Sequence, residues 1–390
     1  MAHVEDLTAE AFGQDPYPTY ARLRAEGPVH RVRTADGETW LVVGHDTARA
    51  ALADPRLAKD FRSLAPGMDY SPVTSNMLEA DPPRHTRLRG LVAREFTSRR
   101  VAALRPRVQR ITDDLLDAAL GHDTVDLVEA LALPLPMTVI CELLGVPDLD
   151  RDAFRRWSND IISGTAAAGE VALGAMSEYL TELIEDKRCG GPRDDLLSAL
   201  IRTRYEDGDQ LSPDELVGMA FLLLAAGHET TVNLIASGVL ALLRHPGQLA
   251  ALRADPALID GAVEEMLRYD GPAETTTWRF AKEPITLAGT AIRRGESVLV
   301  ALAAADRDPE RFAEPDTFDI RRPGQGHIAF GHGIHYCLGA PLARLEARVA
   351  IPALLDRAPG LALVPGPISW RPSVVLRGPA RLMVSFSKRP

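Results

Sequence analysis

Phe330-Gly-His-Gly-Ile-His-Tyr-Cys-Leu-Gly339 is the stretch on which the reading of this chain turns. Cys337 ends a glycine-rich loop, and a helical pattern from Leu338 to Leu355 follows it. Glycines let backbone N–H groups approach closely, and the start of a helix adds positive potential. Both effects favour thiolate over thiol, so Cys337 is a candidate nucleophile or metal ligand. A lone Cys-x-Gly would more often be a buried cysteine beside a turn. Zinc is a second option, since His332 and His335 stand close by. A zinc site needs three or four protein ligands, however, and no further Cys or His cluster supplies the rest.

Working outward, the clearest single element begins at Ser212-Pro213-Asp214-Glu215. Serine caps well, proline fits the first helical position, and a glutamate three residues after the serine completes a capping box. No further proline occurs before Pro246, so the spacing predicts a helix of roughly 30 residues, about 45 Å long. Its middle, Met219 to Ala226, is apolar all round and must cross the core. Within it, Gly227-His-Glu-Thr-Thr231 is out of place, costing helix propensity and burying polar groups that need partners. Alone, the segment reads as a satisfied kink, with Thr230 bonded back to a carbonyl and His228 and Glu229 reaching solvent.

Elsewhere the pattern is mostly helical. Arg84 to Leu120 is helical with interruptions near Thr97 and Pro106, Asp148 to Thr203 is broken at Gly190-Gly-Pro192, and Asp260 to Tyr269 forms a further helix. Val29 to Arg33 and Glu38 to Val43 read as strands joined across Asp36-Gly37. Ile285 to Leu287, Thr290 to Ile292 and Ser297 to Ala301 alternate like strands. The expected fold class is mainly α with a smaller β portion, an α+β arrangement. No linker or repeat interrupts the 390 residues, so a single domain, 1–390, is expected.

Composition narrows the function. A net charge of −10 argues against a general nucleic-acid binder. Only four lysines occur (Lys59, Lys187, Lys282 and Lys388), so the positive charge is nearly all arginine. Three cysteines, Cys141, Cys189 and Cys337, suggest no disulfide framework. No signal peptide or long apolar run is visible, so a cytoplasmic protein without a membrane anchor is expected.

The full pattern Phe-x-x-Gly-x-His-x-Cys-x-Gly, followed by Leu342-Ala-Arg344, resembles the cysteine-ligand loop of cytochromes P-450. The resemblance covers nearly the whole chain from Pro16 onward and is nearest the soluble actinobacterial branch that includes hydroxylases of macrolides and other secondary metabolites. It implies the triangular, helix-rich P-450 prism, with haem b between the long central helix and the cysteine loop. Carried over, Cys337 is the iron ligand, Gly339 belongs to the same cofactor loop, and Phe330 packs beside the porphyrin. Glu229 and Thr230 match the acid–alcohol pair that steers protons during oxygen activation, with Glu229 where many members have Asp. His85, Arg89, Arg279 and His335 match the four propionate partners. Glu265 and Arg268, three apart on one helical face, match the Glu-x-x-Arg signature, with Arg322 as their third partner. These three are structural. Arg84 stands where the family more often has an acidic or neutral residue, and no role is attached to it.

The resemblance further implies a haem-thiolate monooxygenase that places one oxygen atom of O₂ in a lipophilic substrate, by hydroxylation or epoxidation. The chain would be a monomer fed by a ferredoxin and its ferredoxin reductase, since no flavin or nicotinamide motif occurs. Arg99, Arg100, Arg105, Arg107, Arg344 and Arg348 are candidate docking cations for the ferredoxin. By family position, the pocket is lined from Phe61 to Leu78, Phe154 to Tyr179, Leu223 to Gly227, Ala273 to Thr277, and Val374 with Val375. These supply apolar groups and a few hydroxyls, as a polyketide or terpenoid would require. A peroxide-driven peroxygenase and a non-catalytic haem sensor or ligand-binding protein stay open as alternatives.

Overall fold

The structure, a computed structural model, describes residues 4–64, 71–147, 151–163, 166–191, 193–203, 208–323 and 326–386. Parts of two expected pocket segments, residues 65–70 and 164–165, lie outside the described residues. The chain forms two compact units, one of Met1–Ala58, Thr112–Ala132 and Thr230–Pro390, the other of Lys59–Ile111 and Leu133–Glu229.

The first unit holds all the named strands. Its main sheet runs Glu5–Asp6, Val29–Thr34, Gly37–Val42, Ser297–Val300, Arg279–Ala281, Leu57–Ala58. The expected hairpin is present: Val29–Thr34 pairs antiparallel with Gly37–Val42. Gly37–Val42 then pairs parallel with Ser297–Val300, nearly 260 residues away along the chain. Val298 and Val300 pack into a cluster with Leu52, Leu57 and Ile328, whereas Leu299 packs with Leu41, Val43 and Tyr20. Both faces of the sheet are therefore covered, which is why Val298-Leu-Val300 is continuously apolar rather than alternating. Each such fully buried side chain contributes about 1.5–3 kcal/mol. This packed sheet is the base from which the residues around Arg279 extend.

Glu265 sits in the helix Ile259–Asp270 and receives both Nε and Nη2 of Arg268 at 2.8 Å. Arg322 reaches the same carboxylate at 3.2 Å, and the Asp319 N–H donates to it at 2.9 Å. Arg268 also donates to the carbonyls of Asp306, Pro315 and Thr317. The triad thus pins the irregular stretch between Asp306 and Pro323.

The second unit is helical. The expected capping box is formed in both directions: Glu215 N–H donates to Ser212 Oγ at 3.2 Å, and Ser212 N–H to Glu215 Oε2 at 3.0 Å. Arg87 clasps the same carboxylate and Asp209, so the cap also ties Arg84–Glu95 to the start of the long helix. Arg84 lies 3.8 Å from Glu215 and joins this network. The long helix runs from Pro213 to Arg244, 32 residues. The break expected near Pro106 lies at Leu104; Pro106 itself sits in the first turn of Arg105–Ala119, where its missing N–H costs nothing.

Candidate active site

The cysteine loop belongs to the first unit. Cys337 N–H donates to the Phe330 carbonyl at 2.9 Å and closes the loop on itself. Gly331 and Gly333, at φ 75° and 76°, supply the left-handed turns that a side chain would strain. A short 3₁₀ turn, Gly333–His335, leads to Cys337, and the helix Ala340–Arg357 follows directly. Cys337 is exposed and forms no disulfide. His335 is half-buried in the same loop.

Arg279 opens the strand Arg279–Ala281 and is buried, with Nη1 3.4 Å from the Leu57 carbonyl. Thr230, the first residue of the unit's share of the long helix, is only half-buried on a helix whose next ten residues are all buried. An arginine taken out of water calls for an anion. A cysteine presented on a loop before a helix suits a metal. This donor set fits the carboxylates and iron of haem. No group of three or more His, Cys, Asp or Glu able to hold a metal ion occurs among the described residues, so zinc has no ligand set there.

In the second unit, His85 and Arg89 lie one turn apart on Arg84–Glu95, His85 buried and Arg89 half-buried. Burial, reinforced by the charge of Arg89, holds the His85 imidazole below its usual range.

Glu229 ends this unit's share of the long helix. His228 and Glu229 are both buried, so neither reaches solvent as an ordinary kink would have it. His228 Nδ1 is held by the Leu224 carbonyl at 2.7 Å, and its Nε2 lies 3.9 Å from Glu229 Oε2. Ala226, by contrast, is exposed within this mostly buried helix. Gly227 is required by packing, since a Cβ there would meet Ile140 at 2.9 Å.

The pocket segments divide differently from expectation. Ala273–Thr277 and Val374–Val375 are joined through Glu274 N–H to Val375 O and Thr275 Oγ1 to Val374 O, both at 2.9 Å. Val374 and Val375 remain half-exposed. Phe154 is a core residue instead, packed edge-on against Trp157 and Tyr179. Of the six expected docking arginines, Arg100 pairs with Glu95, Arg107 with Glu142, Arg344 with Glu264 and Arg348 with Asp260. Arg99 and Arg105 are exposed.

Sequence reasoning missed Glu264, which accepts from Arg344 and from His327. Its signal was faint, a second glutamate immediately before the recognised Glu265.

The family model of cytochrome P450 matches residues 156–357. The chain is 60% identical to the cytochrome P450 monooxygenase PikC of Streptomyces venezuelae, over 99% of this chain and 95% of that one. It is 48% identical to the vitamin D(3) 25-hydroxylase of Pseudonocardia autotrophica, over 98% and 97% of the two chains. The tirandamycin C-bound P450 monooxygenase TamI superposes with a TM-score of 0.91 at 48% identity, covering 98% of this chain and all of that one. A match over half the chain, joined by relatives this similar from end to end, establishes that the chain belongs to the cytochrome P450 family.

Proposed function

We propose that this P450 monooxygenase hydroxylates or epoxidises a medium to large lipophile of secondary metabolism, of macrolide or polyketide type. It would do so as one 390-residue domain, a cytoplasmic monomer that takes electrons from a ferredoxin and its reductase. Haem b supplies the redox chemistry with O₂, and Cys337 is the residue that would ligate its iron. His85, Arg89, Arg279 and His335 would hold the propionates, with Phe330 and Gly339 shaping the loop beside the ring.

The observation that carries the reading is the self-closed loop presenting Cys337 ahead of Ala340–Arg357. On the long helix, Thr230 offers a hydroxyl on a part-open position, and the adjacent Glu229 carboxylate is buried beside His228. By the family's pattern, this acid–alcohol pair would steer protons during oxygen activation. The apolar Val374 and Val375 favour a lipophile, as do the names of the relatives, which include 6-deoxyerythronolide B hydroxylase. The helix Pro213–Arg244 is long and apolar enough to cross a membrane by composition alone, but 72% of its apolar window is buried in the protein. That supports a core role for it.

Reduced protein treated with CO should show the strongly red-shifted Soret band of thiolate ligation, and Cys337→Ser should abolish it. A band unchanged in that variant would defeat the assignment of Cys337. Turnover with peroxide alone, indifferent to a reductase, would defeat the monooxygenase cycle proposed here.

A further inference from the structure

One carboxylate holds the cysteine loop from two sides. Glu264 lies on Ile259–Asp270, beside Glu265, and is buried. Arg344 delivers Nε and Nη2 to its two oxygens at 2.6 and 2.7 Å, a bidentate pairing that fixes the guanidinium plane. That plane lies over the Phe330 ring, 4.4 Å from its centroid, and Nη1 stands 3.5 Å from the Tyr336 hydroxyl. The Phe330 carbonyl in turn takes the N–H of Cys337.

The second arm runs through His327. Its Nδ1 accepts the Ala329 N–H at 3.3 Å, which leaves the ring proton on Nε2 to be donated to Glu264 at 3.0 Å. One arm therefore fixes the ring of Phe330 and the other the backbone just before it. Any shift of Phe330 moves the acceptor of the Cys337 N–H, and with it the sulfur.

We propose that Glu264 is a positioning residue for Cys337, acting through Arg344 and His327, and that it thereby sets how readily the ligated iron accepts an electron. This rests on Cys337 being the haem ligand. It also assigns Arg344 inward, to the loop, rather than to the electron donor.

The test uses purified holoprotein without ferredoxin or substrate. The ferric–ferrous equilibrium is titrated against a redox dye for wild type, Glu264→Gln and Glu264→Asp, with the CO spectrum and melting temperature recorded alongside. Losing one charge-assisted contact should shift the equilibrium constant by about tenfold in Glu264→Gln, the ratio set by some 1.4 kcal/mol. The thiolate-type CO band should persist, and Glu264→Asp should recover part of the shift. Arg344→Met keeps apolar contact with Phe330 while removing the pairing, and it should move the equilibrium the same way; it decides the matter if Glu264→Gln does not fold. A lowered melting temperature with an unmoved equilibrium in both Glu264→Gln and Arg344→Met would overturn the proposal and leave Glu264 a stabilising residue only. Absence of the red-shifted CO band in the wild type would instead bring down the ligand assignment beneath it.

Discussion

Glu264 and Glu265 are consecutive residues of one helix, yet they hold different parts of the molecule. Glu265 binds a near neighbour, Arg268, and through Arg322 and the Asp319 N–H it anchors the irregular stretch after Asp306. Glu264 binds Arg344 and His327 and anchors the cysteine loop. The partners of Glu265 are nearly sealed from water, with Arg268 at 2% and Arg322 at 13% side-chain exposure. Those of Glu264 are split, with Arg344 wetter at 21% and His327 dry at 6%. Burial sets the cost of breaking each network. On that ground, breaking the Glu265 network should cost folding stability, and breaking the Glu264 network should chiefly displace the loop.

The largest effect should follow Glu265→Gln. Removing the charge leaves Arg268 as an uncompensated cation deep in the unit, at a cost of about 3–5 kcal/mol. Denaturation midpoints should fall accordingly, or the variant should accumulate without haem. A Glu265→Gln protein as stable as Glu264→Gln would break the contrast between the two carboxylates.

Glu274, just beyond the same helix, sharpens the comparison by reversing its sign. Burial pushes its carboxyl up to about 7, against the opposing pull of Arg377 at 3.9 Å and the Tyr20 hydroxyl bond at 2.8 Å. A folded-state value above the unfolded one near 4.5 means that the folded form binds the proton more tightly. Stability is therefore free of this penalty below about pH 4.5 and declines as pH rises towards 7, by up to about 3 kcal/mol. Glu274→Gln should abolish that slope. Urea midpoints at pH 5 and pH 8 measure it, and an unchanged difference between them in the variant would show that Glu274 does not titrate in this window.

The two neighbouring glutamates also mark what could be read from the chain. The Glu265–Arg268 pair is local, three residues on one helical face, and so visible in a pattern. The Ser212–Glu215 box was visible for the same reason. Arg322 emerged only through family resemblance, because 57 residues separate it from Glu265. Glu264 stayed hidden: its partners lie 63 and 80 residues on, and nothing local in Val263-Glu-Glu265 tells which glutamate faces which. Arg344 was noticed, but as a docking cation, since a sequence shows a charge and not its counter-charge. The helix Pro134–Leu144 was likewise not delimited, because Pro134 and Pro136 look like breaks. Both lie in its first turn, where proline is tolerated. The cysteine loop was the opposite case. Its glycines and its cysteine are a contiguous signal, and its closure needs only its own backbone.

The smallest effect returns to Glu264, and it runs opposite to that of Glu274. Hydrogen bonds from Arg344 and His327 outweigh burial and hold its carboxyl down to about 2. A folded value below the unfolded one gives stability that is present above about pH 4.5 and lost as pH falls towards 2. Because Arg344 reaches water, screening limits the contribution to about 1–2 kcal/mol. Glu264→Gln should therefore lower the melting temperature slightly at pH 7 and leave it nearly unchanged near pH 2.5, so that the two acid-unfolding curves converge. If the curves stay parallel down to pH 2.5, the carboxylate's charge is not what holds His327 and Arg344. Packing alone would then fix the loop, and the two glutamates would differ in depth but not in kind.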